Sequence, residues 1–363
     1  MRAVLVRLHR YLSLACAVFW LVQALTGILL VYRLELYDAF IPGAQAPIDM
    51  AAIEQTVNRL ERDNPGWARE SIWASGSGGD RFDIVLDAPV GTPLNGKNRY
   101  WRVDGAGHIL QVGPISEDGG GSHFFNTLTH LHYTLFLGDI GRWIVAASGL
   151  LLISNLVIAL KVAWPRKSQA LKALTPTMRG NLRARFFSWH RAAGLWLAIP
   201  AIIMVSFGVG EAFEDEINGW LGVHPSGPEA AQTTTGPGIG LNAAVKAALP
   251  LYPTASISGV GFPSAEAPWY TITLRQSAEP VKAYGRTKIW VGRDGQVLKT
   301  RDPLKASPAQ TFTQFLYPAH TGEAFGPVGR LLILLVGLWL LGMGVLGVTM
   351  WALRNRSSRK SAL

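Results

Sequence analysis

The sequence predicts a membrane protein of four transmembrane α-helices carrying two α+β domains outside the bilayer, built by internal duplication from one unit used twice. Three observations predict it. Four apolar runs, over residues 11–32, 143–160, 192–210 and 331–353, are each close to the about 20 residues a helix needs to cross a bilayer. The two long intervals, 34–123 and 214–311, are polar enough to fold outside it. A histidine motif occurs twice: His132 is followed by Gly138, Gly141 and Arg142, and His320 by Gly326, Gly329 and Arg330.

Composition agrees. Apolar residues make up 49% and charged residues 16%, below the roughly one quarter of soluble chains. Basic residues orient the spans. Arg2, Arg7 and Arg10 precede the first run, residues 161–191 hold eight Lys/Arg and no acid, and Arg354, Arg356, Arg359 and Lys360 follow the last. Elsewhere acids outnumber bases, 24 to 19. The net charge of +10 is therefore an orientation signal, and nucleic acid is not expected as a partner. The basic side reads as cytoplasmic, with both termini on it and both large domains on the other side. Lipid is the expected surrounding of the spans.

The first run, with its leading residues, occupies 1–33. Ala44-Gln-Ala46 resembles a signal-peptide cleavage site, but the run is longer than an h-region and the charged stretch 33–38 intervenes. A retained span is expected. The single Cys, Cys16, excludes an internal disulfide framework and a cysteine-ligated cluster or c-type haem within the chain. It reads as a small packing residue.

The first outer domain, 34–123, begins with helical periodicity over 50–64, where Ile53, Val57 and Leu60 share a face. Strand-like segments follow at 71–74, 81–87, 99–103 and 108–112, with a turn at 104–107. The second outer domain, 214–311, repeats the order, with a helix at 241–249, strands near 256–261, 269–275, 288–291 and 296–300, and a turn at 292–295. Glycine-rich 117–122 and 231–240 read as loops. Segments 124–131 and 312–319 read as short interfacial pieces leading into the second and fourth spans, so that 124–164 and 312–353 are each one interfacial segment with its span. A basic loop, 165–189, precedes the third span, 190–213, and a basic tail, 354–363, closes the chain. The basic loop leaves no room for a flavin or nucleotide domain, and no GxGxxG or P-loop pattern is present.

The repeat extends beyond the histidine motif. Leu8-His9-Arg10 opens the first span and Trp189-His190-Arg191 the third. Eighteen residues after each His stands a glycine, Gly27 and Gly208, and twenty-six after each a glutamate, Glu35 and Glu216. A unit containing two spans returns the chain to the same side, so its copies are parallel repeats.

The ordered set LHRYL…LTGILL, WHRAAGLW, the paired H-x5-G-x2-GR segments and the two outer domains resembles the PepSY-associated transmembrane family, and within it the FoxB-type inner-membrane siderophore reductases. The resemblance covers almost the whole chain. It implies an oxidoreductase with two haem b groups in the bacterial inner membrane. It also implies electron transfer to a periplasmic ferric siderophore, of ferrioxamine or other hydroxamate type, with release of ferrous iron. The electron donor, a quinol or a cytoplasmic reductase, would be external.

Haem iron bound by His on both faces has no open position and transfers electrons. Ligands of one iron must share a level in the bilayer. His9 and His190 lie at cytoplasmic span starts, and His132 and His320 at periplasmic ones, which favours the pairs His9/His190 and His132/His320. Eighteen helical residues rise about 27 Å, so the pairs would occupy opposite leaflets. Any one of these residues would ordinarily be an interfacial polar group. Four in register favour ligands. His130, two residues from His132, is the alternative ligand, although the repeat places Pro318 opposite it. His108, His123 and His224 read as surface residues. Arg10, Arg191, Arg142 and Arg330, beside the four His, suit either interfacial anchoring or pairing with haem propionates. Glu35 and Glu216 suit a cationic siderophore or a neighbouring Arg. Gln23, Ser148 and Asn155 read as interhelical hydrogen bonders, and Trp20, Trp143, Trp164, Trp196 and Trp351 as packing or interfacial residues. Two other classes fit the same residues: a haem-containing electron-transfer subunit for a protein partner, and a haem-free regulatory protein whose outer domains bind peptide.

Overall fold

The computed structural model describes residues 1–360 apart from 41, 42, 44, 45, 116–122, 225, 226, 229–237 and 282. The loop read at 117–122, most of that at 231–240, and part of the cleavage-like site lie outside the described residues. The chain forms two compact units, Met1–Val31 with Leu128–Trp220 and Thr313–Leu363, and Tyr32–Thr127 with Leu221–Phe312.

The first unit is helical. It contains α1 (Arg2–Ala15) and α2 (Ala17–Val31); in the second unit, α3 (Arg33–Phe40) and α4 (Met50–Asp63) follow. Next come α5 (His123–Tyr133), which ends in the helical unit, α6 (Gly138–Ala163), α7 (Ala170–Leu174), α8 (Leu182–Ala212) and α9 (Glu214–Trp220). Then α10 (Leu241–Ala248) lies in the second unit, α11 (Pro308–Thr321) returns to the first, and α12 (Gly326–Lys360) ends the described chain.

Among the described residues, three helices, over Gly138–Ala163, Leu182–Ala212 and Glu323–Arg354, are long and apolar enough to cross a membrane. The first expected span differs. It breaks at Cys16 and bends through 65° between α1 and α2, which are long and apolar enough to cross only when taken together. Cys16 has φ −98° and ψ 3°, outside the helical well. α1 is amphipathic, whereas α2 is largely apolar, with Gln23 and Thr26 as its polar residues. The helices also overrun their expected ends: α8 starts at Leu182, inside the stretch read as a loop, where the Asn181 side chain accepts the Ala184 N–H and caps it. Continuation of α12 to Lys360 likewise makes most of the expected tail helical. Leu156, Ala201 and Val336 form a buried contact among α6, α8 and α12.

The second unit holds one eight-stranded antiparallel sheet. Its strands are β1 (Ala68–Ser75), β2 (Arg81–Asp87), β3 (Asn98–Asp104), β4 (Ile109–Val112), β5 (Ser256–Gly261), β6 (Trp269–Arg275), β7 (Thr287–Gly292) and β8 (Val297–Arg301). Their order is β4-β3-β2-β1-β5-β6-β7-β8. The two segments read as separate α+β domains thus join edge to edge, with Ile72 opposite Val260. Each contributes a four-strand meander and one helix that packs on the sheet's core face, α4 or α10. Along α4, Ile53, Val57 and Leu60 turn one face inward, as do Leu241, Ala244, Val245 and Ala248 on α10. Both faces pack on the same side of the sheet, against Ile72, Ile84, Val260, Ile272 and Ile289, in one core. The Glu54 carboxylate of α4 accepts the N–H groups of Leu241 (2.8 Å) and Asn242 (3.3 Å) at the start of α10, where a negative charge is favoured.

On the opposite face of β2 and β3, Arg102 is almost wholly buried. Its guanidinium donates to both oxygens of Asp83, at 2.6 and 2.7 Å, and lies 3.9 Å from the Tyr37 ring centroid. Removing one partner leaves a buried charge uncompensated. Asp83→Ala is therefore expected to cost about 3–5 kcal/mol of stability, read as a fall in the denaturation midpoint of the full chain.

Candidate functional site

The helical unit brings the four repeat-matched histidines together in two pairs. The rings of His9 (α1) and His190 (α8) stand 6.3 Å apart, centroid to centroid, at an interplanar angle of 52°. Those of His132 (α5) and His320 (α11) also stand 6.3 Å apart, at 31°. His130 lies two residues before His132, which is about 200° around a helix. The ring facing His320 is that of His132. His108 is exposed and hydrogen-bonded through Nδ1 to Asp104 at 3.0 Å, and His224 is also exposed. His123 is the first residue of α5.

His132 and His320 sit near the ends of short helices, one turn before their spans. The glycines between them shape that turn. Gly138 and Gly326 adopt φ of +55° and +61°, a region that L side chains avoid. One turn later Gly141 lies against the Thr134 carbonyl, and Gly329 against that of Gly322, with no room for a Cβ. The following arginines reach across to the other half of the chain. Arg142 donates to the Ala212 carbonyl at the end of α8, at 2.6 Å, and to both Glu216 oxygens, at 3.1 and 3.2 Å. Arg330 donates to the Val31 carbonyl at the end of α2, at 2.6 Å. Ala212 and Val31 occupy the same repeat position. Each arginine thus satisfies an open carbonyl at a helix C-terminus, where a cation is favoured. Of the two readings of Glu216, its partner is the neighbouring Arg. Arg10 lies 5.0 Å from the Tyr11 ring centroid. Among the described residues, Arg10 and Arg191 make no hydrogen bond or ion pair, although each adjoins a paired His.

The ring nitrogens are held unequally. His9 Nδ1 is 3.0 Å from Asn155 Oδ1, and Asn155 Nδ2 donates to Ser13 Oγ at 2.9 Å. His132 Nδ1 is 2.9 Å from Thr26 Oγ1, whose own proton goes to the Val22 carbonyl. His320 Nδ1 is 3.0 Å from the Met204 carbonyl. His190 Nδ1 is buried and has no partner among the described residues. The repeat explains this difference: the position matching Asn155 is Met343, which offers no comparable acceptor.

The glycines eighteen residues after His9 and His190 meet the other pair. A Cβ on Gly27 would stand 3.1 Å from His132 Cε1, and one on Gly208 2.6 Å from His320 Cε1. Both expose room for a ring beside a span. Their repeat positions were visible in the sequence, but not what they face. Thr26 and Asn155 carried no repeat signal, since Phe207 and Met343 stand opposite them. Of the expected interhelical hydrogen bonders, Ser148 accepts from Trp20 Nε1 at 2.9 Å and Asn155 is placed as above. Gln23 Nε2 is buried without a partner among the described residues. Trp196 Nε1 donates to the Leu174 carbonyl, and Trp143 packs edge-on against Phe213. Trp164 and Trp351 are exposed.

The profile of one family, described as the PepSY-associated TM region, matches residues 6–354. No curated protein matches the chain.

Proposed function

The chain belongs to the PepSY-associated TM region family, and on that premise we propose that it is a di-haem b-type membrane reductase passing electrons to a ferric siderophore. The observation that carries this reading is the equal spacing of the two histidine pairs. A metal–imidazole bond is about 2 Å, and the ring centroid lies roughly 1 Å beyond the nitrogen, so two imidazoles on opposite faces of one iron stand roughly 6 Å apart. Both pairs stand at 6.3 Å. Three of the rings have Nδ1 beside an acceptor, which orients them and leaves Nε2 as the ligand nitrogen. The residues present therefore fit the group.

Held by two histidines, a haem has no open position and supplies one-electron transfer. His9 and His190 would hold one, His132 and His320 the other. Arg10 and Arg191 would pair with propionates of the first. Arg142 and Arg330 would act chiefly by pinning the turns that carry the second pair, with propionate pairing a further role. The matching elements of the two halves support an internal duplication, and the basic segments support an inner-membrane placement with cytoplasmic termini and periplasmic outer domains. The outer domains would wall the siderophore site. Siderophores present hard oxygen ligands matched to ferric iron; ferrous iron has less charge and is held less tightly.

Protein purified in detergent should show the Soret and α bands of bis-histidine haem. Once reduced, it should be reoxidised by ferrioxamine in stopped flow with no partner present. Absence of the bands would remove both haem readings. Reoxidation only by a protein partner would support the electron-transfer subunit instead. The donor is external on this reading, so NADPH oxidation by the reconstituted protein alone would contradict it.

A further inference from the structure

One face of the sheet carries two cations, Lys288 and Arg301, that have no hydrogen-bond or ion-pair partner among the described residues. Ile289 and Val291 of β7 point into the core and are fully buried. The alternate residue, Lys288, points to the other face, and directly across the ladder from it is Arg301 of β8. Like charges directly opposite on neighbouring strands repel. Arg286, two residues before Lys288, continues the row, and its guanidinium donates to the Tyr284 hydroxyl at 3.3 Å. The next pair on this face is Trp290 and Lys299, with Lys299 Nζ donating to the Gly227 carbonyl at 3.0 Å.

The nearby acids are committed elsewhere. Glu279, almost wholly buried, accepts from the Gln276 and Arg286 N–H groups and from the Thr287 hydroxyl. Asp302 accepts from Gln276 Nε2 and the Leu304 N–H, and pairs with Lys305 at 3.7 Å. Among the described residues, Lys288 and Arg301 have no hydrogen-bond or ion-pair partner, and Arg301 Nε is itself buried. Burial and then Arg301 lower the pKa of Lys288; burial and then Arg286 lower that of Arg301. Below the ordinary lysine range, where Lys288 is charged in the unfolded chain, its charge therefore opposes folding, and this cost is present at neutral pH.

The corresponding place in the other half is filled differently. Tyr100 stands where Lys288 does, and Arg102 beside it is neutralised by Asp83. The excess of positive charge belongs to one half only.

We propose that this face, centred on Lys288 and Arg301, binds a phosphate group, as free phosphate or as the head group of an anionic lipid. A phosphate group, free or esterified, presents several anionic oxygens to the two half-buried cations, and a guanidinium fork binds such oxygens in pairs. The proposal is independent of haem.

The test is thermal unfolding of the full-length protein in neutral detergent, with inorganic phosphate, acetate or chloride at matched ionic strength. Phosphate should raise the midpoint of the wild type beyond chloride or acetate, and its affinity should fall about tenfold or more in Lys288→Gln and in Arg301→Gln. Without phosphate both variants should unfold at or above the wild-type temperature, because a repulsion has been removed. If Arg301→Gln does not fold, Lys288→Gln decides alone. In phosphatidylcholine nanodiscs the gain from added phosphate should persist. Its loss on adding phosphatidylglycerol would identify the lipid head group as the occupant, and its retention would identify free phosphate. A wild-type gain no larger than that from chloride or acetate, or an undiminished gain in the variants, would overturn the proposal.

Discussion

His320→Ala is expected to remove one of two haems and abolish siderophore reduction, while the other haem stays bound and reducible. His132→Ala should remove the same haem. The two rings stand 6.3 Å apart on helices from different halves, so on the proposed reading each would be half of a single ligand set. Loss of a histidine that would hold the haem iron should exceed the about 10- to 100-fold effects typical of outer-shell changes. His9→Ala and His190→Ala should instead remove the other haem. In those variants the remaining haem should still be oxidised by ferric siderophore once reduced chemically, but should no longer be filled from the donor side. His130→Ala should be silent in haem content, because on α5 it points away from the ring that faces His320. Haem content by pyridine haemochrome, together with stopped-flow oxidation by ferrioxamine, checks each outcome.

Gly208→Ala should damage the His132/His320 pair although residue 208 supplies no ligand itself. Its added Cβ would stand 2.6 Å from Cε1 and 2.8 Å from Nδ1 of His320. The ring must give way, and its hydrogen bond to the Met204 carbonyl resists that movement. Overpacking of this kind costs about 1–3 kcal/mol, or very roughly a 5- to 150-fold loss of haem affinity if the strain is relieved when the ring moves out of position. Gly27→Ala should have the smaller effect, since its Cβ would stand 3.1 Å from His132 Cε1. Haem retention during dilution, measured side by side in the two variants, gives the comparison. Equal and negligible losses would mean that these glycines do not make room for the histidine rings.

The features legible in the sequence share a physical reason. The strands of the sheet were readable because alternation exposes one face of β2 or β6 to a core, and the helices α4 and α10 because Ile53, Val57 and Leu60, or their counterparts, recur at helical spacing. The histidine pairs were readable because equivalent positions of two like halves fell in register. What was not legible depends on contacts with no repeat partner or no local pattern. Thr26 and Asn155 hold His132 and His9, yet Phe207 and Met343 stand at the matching positions. The 65° bend at Cys16 arises in an unbroken apolar run with neither Pro nor Gly at the break. Joining of the two outer segments into one sheet depends on the β1–β5 pairing, a long-range choice of strand edge that neither segment encodes by itself. In sequence the arginines of the repeated motif suit anchors or propionate partners, and their reach to Ala212 and Val31 is visible only once the ends of α8 and α2 are placed beside them.

The pairing of the four histidines is tested most directly by double substitution. His132→Ala with His320→Ala should leave one haem per chain, no fewer than either single variant, because both changes strike one ligand set. His9→Ala with His320→Ala should leave none, because each change strikes a different set. The reverse pattern, with no haem left after the first combination and one after the second, would contradict the assignment of His9 to His190 and of His132 to His320.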